Sequence, residues 1–107
     1  MRVDQLVPAF HRGDAIGDEA WELRRFFRAE GRDSEIYCLS RDRGLENDSR
    51  LFESFPRPSA SDVTILHYAL PSPLSAALAG LPSRKVLIYH NITPASFFEG
   101  VNPEFAR

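Results

Sequence analysis

The chain has 107 residues, enough for one domain and too few for two. Leu, Ile, Val and Phe supply 29 of them, so a core can form and a disordered tail is excluded. With 13 Lys+Arg against 15 Asp+Glu the formal charge is −2, which argues against a dedicated basic nucleic-acid binder.

One cysteine, Cys38, excludes an internal disulfide and any Cys-rich metal site. No apolar run approaches the roughly 18 residues of a membrane-spanning helix. The N-terminal Met1-Arg2-Val3-Asp4-Gln5 places an acid where a signal peptide needs its apolar stretch. A cytoplasmic α/β domain is the expectation. The 12 Arg against one Lys reads as compositional bias of the genome.

Arg2 to Val7 reads as a first strand, with Pro8 ending it by removing a donor. A loop through Gly13-Asp14-Ala15-Ile16-Gly17 follows, and Asp18 reads as the N-cap of a helix. Ile16, Ala20, Leu23 and Phe27 recur at helical spacing, and Trp21 and Phe26 widen that stripe. Arg24, Arg25 and Arg28 fall on the other side and read as a solvated face. Contact with a membrane surface is the weaker alternative, because Glu19, Glu22 and Glu30 dilute the positive charge. Gly31 is the natural stop.

Ser34 to Leu39 reads as a second strand, with Cys38 as a small buried residue. Residues 40–62 are mostly polar and read as a long connection, within which Leu51–Phe55 fits either a short edge strand or one helical turn. Asp62 to Tyr68 is a third main strand, apolar enough to be covered on both faces. Ser72-Pro73 opens a short helix as cap and first residue, and Gly80 closes it. Arg84 to His90 is the next strand. Asn102-Pro103 has the pattern of a further helix start. A helix of one turn is unstable alone, so the pattern predicts an incomplete domain from a longer protein.

Strands alternating with helices predict a parallel, Rossmann-like sheet with helices on both faces. Strand 1 is placed centrally, strand 2 on one side, the 63–68 strand on the other and the 85–90 strand beyond it. The chain therefore reverses direction beside strand 1, and ligands in such sheets bind outside the carboxyl ends at that switch point. Residues 8–17, 67–72 and 90–94 should converge there.

The loop before the first helix suits a phosphate, because backbone N–H groups and the helix dipole face it and Gly17 permits close approach. A plain tight turn explains the same residues. Asp14 is placed to orient hydroxyls. His90 ends a buried strand, where an imidazole serves as general base, sugar-hydroxyl donor or phosphate contact. The bland alternative is a structural histidine bonded to a carbonyl. His67 ends the neighbouring strand, and two histidines at adjacent strand ends are harder to dismiss than one. No third ligand at metal-like spacing accompanies them. His11, in the first loop, is expected to be solvated.

Several of these stretches resemble the opening of family-4 glycosyltransferases. They are Gly13-Asp14-Ala15-Ile16-Gly17-Asp18-Glu19-Ala20 with Leu23-Arg24, Gly31 and Ser34-Glu35-Ile36-Tyr37; Asp62 to Tyr68 with Ser72-Pro73; and Lys85-Val86-Leu87-Ile88-Tyr89-His90-Asn91-Ile92-Thr93-Pro94 with Phe97-Phe98. The resemblance spans roughly residues 3–105, and Tyr-His-Asn-Ile-Thr-Pro is its most specific part. It implies the two-domain GT-B architecture, with residues 1–107 as part of the N-terminal, acceptor-side domain. It also implies retaining transfer of a hexosyl group from a nucleotide-diphosphate sugar to an acceptor hydroxyl, without a metal or other cofactor. Gly17 would then approach the donor phosphate, and His90 would contact the transferred sugar. Asp14, His67, Asn91 and Thr93 would line the cleft. The chain departs from the pattern by carrying Asp14 where relatives often pair glycines. It also lacks the donor-binding domain, so the isolated chain is expected to be inactive. The non-enzymatic alternative is a Rossmann-like module that pairs with another chain through the open edge of its last strand.

Overall fold

The computed structural model describes residues 1–90. The elements in chain order are β1 (Val3–Phe10), α1 (Ala15–Ala29), β2 (Ile36–Arg41), β3 (Arg50–Leu51), a 3-10 turn (Phe52–Ser54), β4 (Val63–Tyr68), α2 (Pro73–Ala79) and β5 (Arg84–Tyr89). Among the described residues the strands form one sheet in the order β3-β2-β1-β4-β5, with every pair parallel. The chain is α/β and Rossmann-like. The central position of β1 and the outward order β4, β5 match the expected switch-point topology.

Side chains alternate across a strand, and the two helices use that alternation. Ile16 and Ala20 of α1 pack with Val7, Ile36 and Cys38. Leu74 and Leu78 of α2 pack with Leu6 and Tyr37, the sequence neighbours of Val7 and Ile36, and with Leu66. Adjacent residues of one strand point to opposite faces, so α1 and α2 cover opposite faces of the sheet. Thr64 to His67 are all buried, which bears out a strand covered on both sides. At α2 the Ser72 hydroxyl accepts from Leu74 N at 3.2 Å with Pro73 in the first turn, as its sequence predicts.

Five expectations need correction. β1 continues past Pro8 to Phe10. Its odd-numbered residues donate toward β2, with Val3 N to Asp33 O and Gln5 N to Glu35 O at 2.9 Å. The even-numbered residues therefore face β4, whose pairing with β1 stops at Leu6 and Leu66. Pro8 lacks a donor only where no rung is made, so it does not end the strand.

The helix begins at Ala15, so residues 15–17 belong to its first turn and not to a loop. Asp14, not Asp18, holds the N-cap position, and its side chain makes no capping bond. Asp18 instead reaches back to accept from Gly13 N at 3.0 Å.

Arg24 is buried, not solvated, because the segment after β2 folds over α1. Its guanidinium donates to the Asp48 carbonyl and, at 3.1 Å, to the Asp48 carboxylate. Phe26, expected in the apolar stripe, is 57% exposed and meets only the edge of Phe27 among the aromatic rings.

The undecided stretch Leu51–Phe55 supplies both alternatives. Leu51 pairs with Cys38 as part of β3, and Phe52–Ser54 turns once as a 3-10 helix. Asn91, Thr93 and the helix start at Asn102 lie outside the described residues.

Candidate functional site

The carboxyl ends of β1 and β4 part at a crevice of about 360 Å³. Pro8, Ala9 and Ile16 form one wall, and Ala69, Leu70 and Pro71 the other. Four polar residues line this mostly apolar space: His11, Asp14, His67 and Ser72. The first loop and residues 67–72 thus converge as the switch-point argument requires.

Each polar group is held by a different local cause. Asp14 sits at the α1 N-cap with extended backbone, and its carboxylate is left uncommitted by the helix. His11 is partly exposed, and its Nδ1 pairs with an Asp42 carboxylate oxygen, so it is tethered and not simply solvated. Gly17 lies buried behind the crevice. A Cβ there would stand 1.9 Å from the His11 carbonyl oxygen, so the close approach this glycine makes in the fold is to the chain itself.

His67 is fully buried at the end of β4. Its Nε2 lies 2.6 Å from Gln5 Oε1, and its Nδ1 lies 2.9 Å from His90 Nε2. The two imidazoles stack with centroids 5.1 Å apart. His90 stands behind His67 rather than on the crevice wall, with its Nδ1 3.7 Å from Glu19 Oε2 of α1. Burial first, and the neighbouring His90 second, push the His67 pKa down to about 4.

Sequence reasoning missed Gln5. The signal was present: an amide in the buried core of a central strand must find partners or lose about 1–3 kcal/mol. Gln5 donates to the Ala20 carbonyl at 2.9 Å and so ties β1, α1 and β4 together. Glu19 had no signal beyond its place near the helix start.

Two imidazoles bonded to each other, one of them uncharged near neutrality, suit proton exchange and hydroxyl recognition. Among the described residues no group of three or more His, Cys, Asp or Glu is placed to hold a metal ion. Among them, too, no helix is long and apolar enough to cross a membrane. No protein-family model matches the chain, and no curated protein or solved structure matches it.

Proposed function

We propose that this chain is the acceptor-side half of a retaining hexosyltransferase that uses a nucleotide-diphosphate sugar, with the crevice between β1 and β4 as the acceptor wall. The observation that carries the reading is the meeting of Asp14 and His67 in one switch-point crevice, with His90 hydrogen-bonded directly behind. Asp14 orients an acceptor hydroxyl, His90 contacts the transferred sugar through the nitrogen that His67 leaves open, and His67 holds His90 in place. By the resemblance the donor phosphate would lie at the amino end of α1, near Gly17. By the resemblance Asn91 and Thr93, which follow His90 in the sequence, would line the same cleft. The donor's nucleotide is held by a second domain of the family's architecture.

The test is turnover of nucleotide-diphosphate sugars by the full-length protein that carries this chain, beside its His90→Ala variant. Loss of about 10²-fold or more in the variant supports a role in the chemistry. Unchanged turnover removes His90 from the reaction.

One observation favours the non-enzymatic reading. Among the described residues β5 is the outermost strand, and its apolar side chains stay in water: Val86 is 43%, Leu87 56% and Tyr89 66% exposed. Unpaired strand edges of this kind add strands from other chains. Concentration-dependent association without any binding of nucleotide sugar selects that reading over the first.

A further inference from the structure

The hydrogen atoms of the two histidines follow from chemistry, beginning with a group that has no choice. The Ala20 carbonyl can only accept, so the Gln5 nitrogen faces it and the Gln5 oxygen faces His67. That oxygen also can only accept, so His67 Nε2 must carry a hydrogen and donate. A neutral imidazole carries one N–H, which leaves His67 Nδ1 as an acceptor. The 2.9 Å contact with His90 then requires His90 Nε2 to donate. The remaining nitrogen, His90 Nδ1, keeps its lone pair and faces the Glu19 carboxylate.

We infer that Gln5 is a positioning residue: acting through His67, it fixes the hydrogen of His90 on Nε2 and reserves Nδ1 as the nitrogen that gains and loses a proton. That Nδ1 serves a substrate hydroxyl rests on the transferase reading above; the tautomers themselves do not.

The alternative arrangements are worse for physical reasons. A proton on His67 Nδ1 would set two N–H groups against each other and place a cation where no water reaches. A proton on His90 Nδ1 keeps the bond to His67, makes it charge-assisted, and forms an ion pair with Glu19. His67 from β4 and Glu19 from α1 are the titratable groups against His90 among the described residues; Tyr68 and Tyr89 pair on the other face of the sheet. Fully buried Gln5 is thus three hydrogen-bonding atoms removed from the nitrogen it governs.

The experiment is long-range 1H–15N correlation of the imidazoles in the 15N-labelled chain. At pH 7.5 His67 should show a protonated Nε2 and a bare Nδ1, and His90 likewise. On acidification to pH 5 His67 Nδ1 should stay bare. A protonated His67 Nδ1 at pH 7.5 or at pH 5 overturns the inference. Gln5→Leu removes the acceptor and should raise the His67 Nδ1–H form roughly fivefold. A Gln5→Leu variant that fills its cavity and folds with unchanged tautomers also overturns it; if that variant does not fold, the wild-type spectrum decides. Absence of nucleotide-sugar turnover leaves these spectra as they are, so the two readings fail separately.

Discussion

At the amino end of the sheet, buried Asp4 is surrounded by fixed donors. Arg2 reaches it at 3.1 and 3.2 Å, and the backbone N–H of Glu35 at 3.0 Å. Buried Gln5, next to Asp4 in β1 but on the opposite face, reaches toward the carboxyl end instead, where it bonds to His67, which bonds in turn to His90; Gln5 and His67 carry no permanent charge. The amino end also has the larger hollow, about 490 Å³, lined by Arg2, Arg28, Arg32, Asp33 and Glu35. Size alone would choose it as the site. Its charges are largely answered within the fold, however: Arg2 pairs with Asp4 and Asp33, and Arg28 with Glu35. Permanently charged groups paired in place hold a structure together. Neutral titratable groups at a crevice can change state, and that difference, more than volume, makes the carboxyl end the candidate site.

The sharpest way to break the comparison is Gly17→Ala. The added methyl meets backbone at 1.9 Å, which a side-chain rotation cannot relieve. The variant should lose about 3 kcal/mol or fail to fold, read by urea denaturation. A tolerated alanine would mean that α1 is free to shift at the crevice.

Next in size is a pH effect confined to the carboxyl end. The folded His67 pKa, about 4, lies below the ordinary 6.5. Between those values the unfolded chain binds the proton and the folded chain does not. Stability is therefore full above pH 6.5 and falls on acidification, by about 3 kcal/mol on reaching pH 4, with no further loss from this group below that. The difference between wild type and His67→Gln, measured by denaturation across this window, should carry that slope. An equal pH slope in both proteins would remove His67 as its source.

At the amino end Asp4→Ala should cost about 2 kcal/mol, since it strands the Glu35 N–H and the Arg2 guanidinium. Its cost should not depend on whether His67 is neutral, because the two ends share no hydrogen bond. The smallest expected effect is Thr64→Val, which deletes the buried 2.8 Å bond to Ser83 for about 1 kcal/mol. Coupling between Asp4 and His67 in a double-mutant cycle would show that the two ends are one network.

Much of the scaffold is legible in the residues themselves. Val63 to Leu66 is β-branched and apolar on both faces, which places β4 inside the sheet. Ser72-Pro73 announces α2 by cap and ring geometry. The strand order then follows from crossover rules. What is not legible depends on partners distant in sequence. Arg24 looks solvated until the segment bearing Asp48 is laid across it. Phe26 looks buried until the helix is turned toward Arg24. The site divides in the same way. His67 and His90 are visible as strand-end imidazoles, and Asp14 as a loop acid. Gln5 shows in the sequence as an amide in need of partners, and which partners these are appears only when α1 lowers the Ala20 carbonyl onto β1. The last reason is asymmetry of signal: an apolar stripe repeats, whereas a polar contact between two elements leaves one letter in each.

Pro8 has a consequence beyond the length of β1. Hydrogen-bonded strands tend to zip until something stops them, and the next rung from β1 toward β4 would have to come from a nitrogen that has no hydrogen. The seam between the two central strands is therefore left unfastened by covalent chemistry, and it opens where the crevice begins. Access to the crevice floor is in this sense written into a single tertiary amide, a wedge that no change of solvent or temperature can withdraw.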